Sequence, residues 1–264
     1  MLDAFSRLPP WTQALFATAF TWGVTALGAA AVFLMRHPRK TILDGMLGFS
    51  AGVMLAASYW SLLAPSIEMA ETLELNAWLT AITGFIGGGL LLYIGDLVYQ
   101  YHNKRYTNQS ANKRCFLLIA SITLHNIPEG LAVGVAFGSV VYSFIGAGLS
   151  AACMLALGIG LQNFPEGMAV SVPLLREGYS KGRAFFLGQL SGFVEPVAGV
   201  MGVLLVLRVR LLLPYMLSFA AGAMIYVVVQ ELIPESQENR HKGLMTFFTL
   251  LGFAVMMVLD VALE

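Results

Sequence analysis

Charge is what this 264-residue chain has least of. Only 11% of its residues are Asp, Glu, Lys or Arg, less than half of the roughly 25% found in soluble domains. With 58% hydrophobic residues and a mean hydropathy of +0.75, that shortage excludes an ordinary water-soluble enzyme, a disordered chain and a basic nucleic-acid binder. Neither sign is in excess: 15 Lys+Arg face 15 Asp+Glu, so no global electrostatic partner is implied and no nucleic acid is expected. Cysteine is scarce as well. Cys115 and Cys153 lie far apart without a CxxC spacing, which excludes a disulfide framework or a thiolate metal cage built from them alone.

What the chain has instead is long apolar runs. A spanning helix needs about 20 apolar residues, and the charge-free stretches are 8–35, 45–67, 75–95, 115–128 running past Glu129, 130–165, 184–194 running past Glu195, 211–230 and 243–259. The stretch 130–165 is long enough to need a turn, which Gly138-Ser139-Val140-Val141-Tyr142-Ser143 supplies. The reading is an all-α integral membrane protein of eight spans, near 11–35, 44–67, 76–99, 115–137, 143–174, 184–207, 211–234 and 243–263, in one domain over 1–264. Leu27-Gly28-Ala29-Ala30-Ala31 resembles a signal-peptide cleavage site, but the apolar run before it is too long and Asp3 spoils a basic start, so the first run reads as a span.

Orientation follows from the basic residues in short loops. Arg36, Arg39 and Lys40, then Lys104, Arg105, Lys113 and Arg114, then Arg176, Lys181 and Arg183, and finally Arg240 and Lys242 follow the odd-numbered spans; only Arg7, Arg208 and Arg210 lie on the other side. Twelve of the 15 basic residues on one side place both termini outside the cytoplasm. The outer loop after the second span carries Glu68, Glu71 and Glu74 without a basic residue; it reads either as a solvated helix end or as a vestibule that attracts cations.

Most features inside the spans are structural. Gly48/Gly52, Gly84/Gly88, Gly134/Gly138 and Gly188/Gly192 have the small-residue spacing of close helix packing. The 13 Met residues are flexible apolar filler, and Trp11, Trp60 and Trp78 suit the interfacial belt.

Charges at mid-membrane discriminate between functions. The fourth span reads Leu124-His125-Asn126-Ile127-Pro128-Glu129-Gly130 and the fifth reads Leu161-Gln162-Asn163-Phe164-Pro165-Glu166-Gly167. This is one motif used twice, with Gln162 in place of His125. Consecutive spans run antiparallel, so the copies can face each other about a pseudo-two-fold axis in the membrane plane. Residues i and i+4 differ by about 40° around a helix, so His125 shares a face with Glu129 and Gln162 with Glu166, while Asn126 and Asn163 sit beside those faces. Each proline frees the carbonyl four residues before it, Leu124 or Leu161, and bends its helix; freed midplane carbonyls are a way transporters build ion sites. The sixth span adds Glu195-Pro196.

An acidic side chain at a helix centre costs about 2.5–3.5 kcal/mol on insertion scales. Glu129, Glu166 and Glu195 together cost about 8–10 kcal/mol on that basis, and no Lys or Arg lies within these spans to offset it. Three such carboxylates ionise together only with a cation or shared protons between them. Imidazole, carboxylate and amide donors without thiolate suit zinc, iron(II), manganese, cobalt or cadmium and disfavour copper(I).

These residues resemble the transport-site motifs of the ZIP (Zrt/Irt-like) divalent metal transporters, and most closely their bacterial GufA-like branch. The resemblance rests on His125 to Gly130, Gln162 to Gly167 and Glu195-Pro196, with support from Gly48 to Ser58 and from Gln230-Glu231-Leu232-Ile233-Pro234-Glu235. It implies an eight-helix fold in a 3+2+3 arrangement, a homodimer in a cell membrane (a bacterial inner membrane), and divalent metal, zinc foremost, moving into the cytoplasm as cargo with no resident cofactor. The family's binuclear site would place one metal on His125, Glu129, Gln162 and Glu166. A second would fall on Asn126, Asn163, Glu195 and the shared Glu166. Glu231 and Glu235, one turn apart where the seventh span ends on the cytoplasmic side, read either as an exit relay for metal or as a helix end wetted by cytoplasm. Asn163 is a departure, because some relatives have Asp there, and it predicts a weaker second position. The family's histidine-rich cytoplasmic loop is nearly absent, since 100–114 contains only His102.

Two other classes fit less well. A cation channel or proton-coupled exchanger would use the same carboxylates, and transport kinetics separate it from a carrier. An intramembrane metalloenzyme would need a metal-activated water; there is no HExxH, and His125 is the only histidine inside a span.

Overall fold

The computed structural model describes residues 5–34, 40–104, 111–142, 148–238 and 241–262; within these ranges the side chains of residues 40, 99–104, 111–118, 120–121, 124–125 and 176 lie outside the description. Among the described residues the chain forms eight long helical rods and no strand. They are α1 (Pro10–Leu34), α2 (Lys40–Ala57, continued by Ser58–Leu63 and Ala64–Thr72), α3 (Ala77–Lys104) and α4 (Ala111–Ser139). After them come α5 (Leu149–Arg176), α6 (Lys181–Gly192 and Val194–Arg208), α7 (Leu213–Val227, continued by Val228–Leu232 and Ile233–Ser236) and α8 (Lys242–Ala262). Each rod overlaps one of the charge-free runs, but α5 begins at Leu149 and not at 143, and α3 continues to Lys104, past the expected end at 99. α4 ends at Ser139 and a single tight turn, Val140–Tyr142, follows; the rest of the expected turn, like the loop residues Arg36, Arg39, Arg105 and Arg240, lies outside the described residues.

Six of these rods are long and apolar enough to cross a membrane: Pro10–Leu34, Thr41–Thr72, Ala77–Val98, Lys181–Arg208, Arg210–Ser236 and Lys242–Ala262. The other two, α4 and α5, carry the repeated polar motif, and in α5 Gln162, Asn163 and Glu166 dilute an otherwise apolar run. The outer faces are greasy along their length: Ile82, Ile86, Leu90 and Leu97 on α3 and Phe247, Leu250, Val258 and Val261 on α8 are all exposed. Continuous apolar surface of that extent fits a hydrocarbon solvent and not water.

Packing divides the rods into two groups. α1 lies along α5 and α4 along α6, while α3 lies along α7 and α2 along α8. Exchanging α1 with α6, α2 with α7, α3 with α8 and α4 with α5 returns the same pairings, as an approximate two-fold relation requires. The sequence carries its trace outside the polar motif: Phe49-Ser50-Ala51-Gly52-Val53-Met54 in α2 is matched by Phe219-Ala220-Ala221-Gly222-Ala223-Met224 in α7. Both helices then widen into a π-helical turn, at Ser58–Leu63 and at Val228–Leu232, a local defect that recurs at functional sites.

Glycines set the separations within each group. A Cβ on Gly52 would strike the Thr249 carbonyl and one on Gly222 the Phe85 carbonyl, as would Gly88 on Phe219 and Gly252 on Phe49. These contacts make the close-packing reading of Gly48/Gly52 and Gly84/Gly88 concrete: the backbones touch. The two groups meet where α2 passes α5 and α7 passes α4, so the central pair is enclosed from both sides.

Candidate functional site

The repeated motif is the centre of the first group. Asn126, Glu129, Gln162, Asn163 and Glu195 are fully or almost fully buried, and Glu166 is 6% exposed. The motif's last residue explains how α4 and α5 come so close to their partners: a Cβ on Gly130 would collide with the backbone of Glu195 in α6, and one on Gly167 with the Thr25 carbonyl in α1. Pro128 and Pro165 sit inside unbroken helices. The interruption falls in α6, where a tight bond from Phe193 N to Leu190 O (3.2 Å) precedes the restart at Val194. Pro196 has no amide hydrogen to continue the ladder but is tolerated in the first turn of a new segment. Glu195 therefore stands in the first turn of a helix.

Side chains join the elements in pairs. Gln162 Nε2 donates to Glu129 Oε1 at 2.6 Å, linking the two motif copies directly. Asn163 Nδ2 donates to both oxygens of Glu195, at 2.9 and 3.0 Å. Asn126 Nδ2 donates to the Ser191 carbonyl at 2.9 Å, which ties α4 to the first half of α6. Ser50 Oγ of α2 donates to Glu166 Oε1 and to the Gln162 carbonyl, each at 3.4 Å. In α1, Thr21 and Thr25 both donate to the Glu195 carboxylate.

Four buried oxygens of this cluster, Asn126 Oδ1, Glu129 Oε2, Gln162 Oε1 and Asn163 Oδ1, accept no hydrogen bond among the described residues. All four are acceptors, two from each motif copy, and Asn126 and Asn163 hold the same place in the repeat. Buried acceptors without donors are costly, and a cation is the species that satisfies acceptors without supplying new ones. Among the described residues no three His, Cys, Asp or Glu side chains converge as a ready-made ligand set. The amides of Gln162 and Asn163 are bonded to the carboxylates of Glu129 and Glu195, so amide and carboxylate oxygens share the cluster. The side chain of His125 lies outside the described residues.

Glu231 and Glu235 are placed differently. Glu231 is half-buried inside the π-helical turn of α7 and Glu235 is exposed one turn later. Glu231 is within electrostatic reach of Tyr226, whose hydroxyl donates to Asp96 Oδ2 of α3 at 2.6 Å. At the matched place on the other side, Ser61 in the π-helical turn of α2 donates to Asp260 Oδ1 of α8, also at 2.6 Å. Glu68 is half-buried on α2, and Glu71 and Glu74 are exposed.

Sequence reasoning passed over Thr21, Thr25, Ser191, Asp96 and Asp260. A signal was present for the threonines, since Thr18, Thr21 and Thr25 recur at helical spacing in an apolar run. Asp96 and Asp260 were equally visible as acids ending apolar stretches. Ser50 lies within the Gly48 to Ser58 stretch, where nothing in the sequence marks it as a neighbour of Glu166.

A model of the ZIP zinc transporter family matches residues 102–260. The chain is 39% identical to the human zinc transporter ZIP11, covering 95% of this chain and 97% of that protein. It is 36% identical to the zinc transporter GufA of Myxococcus xanthus (94% and 98%) and 36% identical to the zinc transporter ZIPB of Bordetella bronchiseptica (95% and 81%).

Proposed function

The chain belongs to the ZIP zinc transporter family, and on that premise we propose that it carries divalent metal, zinc foremost, across a cell membrane into the cytoplasm. The path runs through the buried cluster of α4, α5 and α6. One observation carries this reading: buried carboxylates and amide oxygens, including four acceptors without a donor among the described residues, in a stretch of sequence with no Lys or Arg from 115 to 175. A cation passing through supplies the missing compensation.

In this reading His125, Glu129, Gln162 and Glu166 hold the cargo at a primary position. Asn126, Asn163, Glu195 and the shared Glu166 outline a weaker second position, which water or a proton fills in place of a tightly held metal. Ligation by nitrogen and oxygen without thiolate also admits cadmium, iron(II) and manganese. Membership of a transporter family speaks against an intramembrane hydrolase, and the same carboxylates serve as cargo ligands.

Eight spans in a 3+2+3 order, both termini outside the cytoplasm, fit the distribution of basic residues between loops. Exposed Glu71 and Glu74 then face the side from which metal arrives, and Glu231 and Glu235 the side where it leaves. We place the protein in a bacterial inner membrane as a homodimer.

The test is uptake into proteoliposomes across a panel of divalent ions. Saturable zinc uptake that collapses in Glu166→Ala, with the variant still folded and inserted, supports the assignment. Near-normal uptake by that variant removes it, and linear, non-saturating flux replaces the carrier with a channel.

A further inference from the structure

Glu129 and Glu195 are both fully buried acids, yet their surroundings differ in kind. Glu129 receives one donor, from Gln162, and its second oxygen receives none among the described residues. Glu195 is enclosed by donors. Asn163 Nδ2 lies astride the carboxylate, 2.9 Å from one oxygen and 3.0 Å from the other, which is where a cation held by both oxygens would sit. Thr21 Oγ1 closes on Oε2, and Thr25 Oγ1 lies 3.5 Å from Oε1.

These hydroxyls are built into the site. Thr21 and Thr25 are buried to 1% exposure or less in a span. A threonine in such a helix ordinarily returns its proton to its own backbone, as Thr18 does to the Ala14 carbonyl at 2.7 Å. Thr21 and Thr25 keep that option, at 3.0 Å to Thr18 O and 3.3 Å to Thr21 O, while also facing an acid from another helix. Their place has a logic in the two-fold relation: Gly167 of α5 packs on the backbone of Thr25 as Gly130 of α4 packs on that of Glu195. Where exact symmetry would put a second carboxylate, α1 has a hydroxyl that binds the one that is present.

We propose that Thr21, Thr25 and the Asn163 amide together fill the role of a second cation at Glu195, so that the chain loads a single divalent ion and the hydroxyls of α1 set that stoichiometry. Thr21 and Thr25 act through Glu195 and are positioning residues. The inference rests on the cargo reading of the cluster but goes further: the same carboxylate would be a ligand if α1 were apolar.

The experiment is an equilibrium zinc titration of the purified chain in detergent by calorimetry, with bound zinc counted by elemental analysis. One zinc per chain is expected for the unmodified protein and for Thr21→Ser/Thr25→Ser, which keeps both hydroxyls. Thr21→Val/Thr25→Val keeps the shape and removes the donors; a second, weaker equivalent is expected. Asn163→Asp, alone or with the valines, should tighten that second equivalent by about tenfold or more, because a charged ligand replaces a neutral one.

Two equally tight zinc ions in the unmodified protein overturn the proposal, as does a single ion in the valine pair and in both Asn163→Asp variants. Glu129→Gln separates it from the reading beneath it. Loss of the first zinc there with the valine pair unaffected at that position supports both, whereas no zinc on the unmodified chain removes the cargo site itself.

Discussion

Gln162 and Glu129, equivalent neither in sequence nor in chemistry, are joined at 2.6 Å across α4 and α5. The donor comes from the motif copy that has lost the histidine and the acceptor from the copy that retains it. This bond occupies Glu129 Oε1, while Oε2 accepts no hydrogen bond among the described residues and is the oxygen proposed to meet cargo.

Replacing Gln162 by Leu keeps the volume and removes the donor. Hydrogen bonds to charged groups contribute about 1.5–3 kcal/mol, so zinc affinity should fall by roughly tenfold or more. Calorimetric titration checks this, and a Gln162→Leu variant that binds zinc as tightly as the unmodified chain would show that the bond is incidental.

The three buried carboxylates should not be equivalent in transport. Glu166 is a proposed primary ligand, whereas both oxygens of Glu195 are already occupied by donors. Zinc uptake should be abolished by Glu166→Ala but only reduced by Glu195→Gln. Equal loss in both, measured in the same vesicles, would mean that Glu195 holds cargo as strongly as Glu166.

Gly130 and Gly167 allow backbone contact with α6 and α1. A methyl group at either position forces the helices apart, and overpacking of that kind costs typically 1–3 kcal/mol. Gly130→Ala and Gly167→Ala should each lower the detergent melting temperature and slow uptake, since the acids move with their helices. Unchanged melting in both would contradict the packing described.

At the proposed exit, Glu231→Ala should lower turnover more than it weakens binding at the central site. Initial rates over a range of zinc concentrations resolve the two, and unchanged turnover would leave Glu231 as a wetted helix end and nothing more.

Much of this was legible in the sequence for a simple reason. The cost of charge in hydrocarbon is local and large, so apolar runs mark the helices, and an acid inside a run stands out whatever surrounds it. The repeated motif announced both the central pair and its two-fold relation. The π-helical turns in α2 and α7 were not legible, because a single widened turn leaves no periodic signature over so few residues. The division into two groups of four was equally hidden, because which helix lies against which depends on contacts between distant glycines and carbonyls.

By itself, then, the sequence determined that the chain lives in a membrane, that buried acids at its centre need compensation, and that a divalent cation suits them. Only the tertiary structure decided how each acid is compensated. Among the described residues Glu129 keeps an oxygen without a donor because its one donor comes from α5, while Glu195 is covered because α1, far away in the chain, turns Thr21 and Thr25 toward it. The identity of a residue sets the cost of burying its charge, and whether a side chain or a cation meets that cost is fixed by which helix the fold brings alongside.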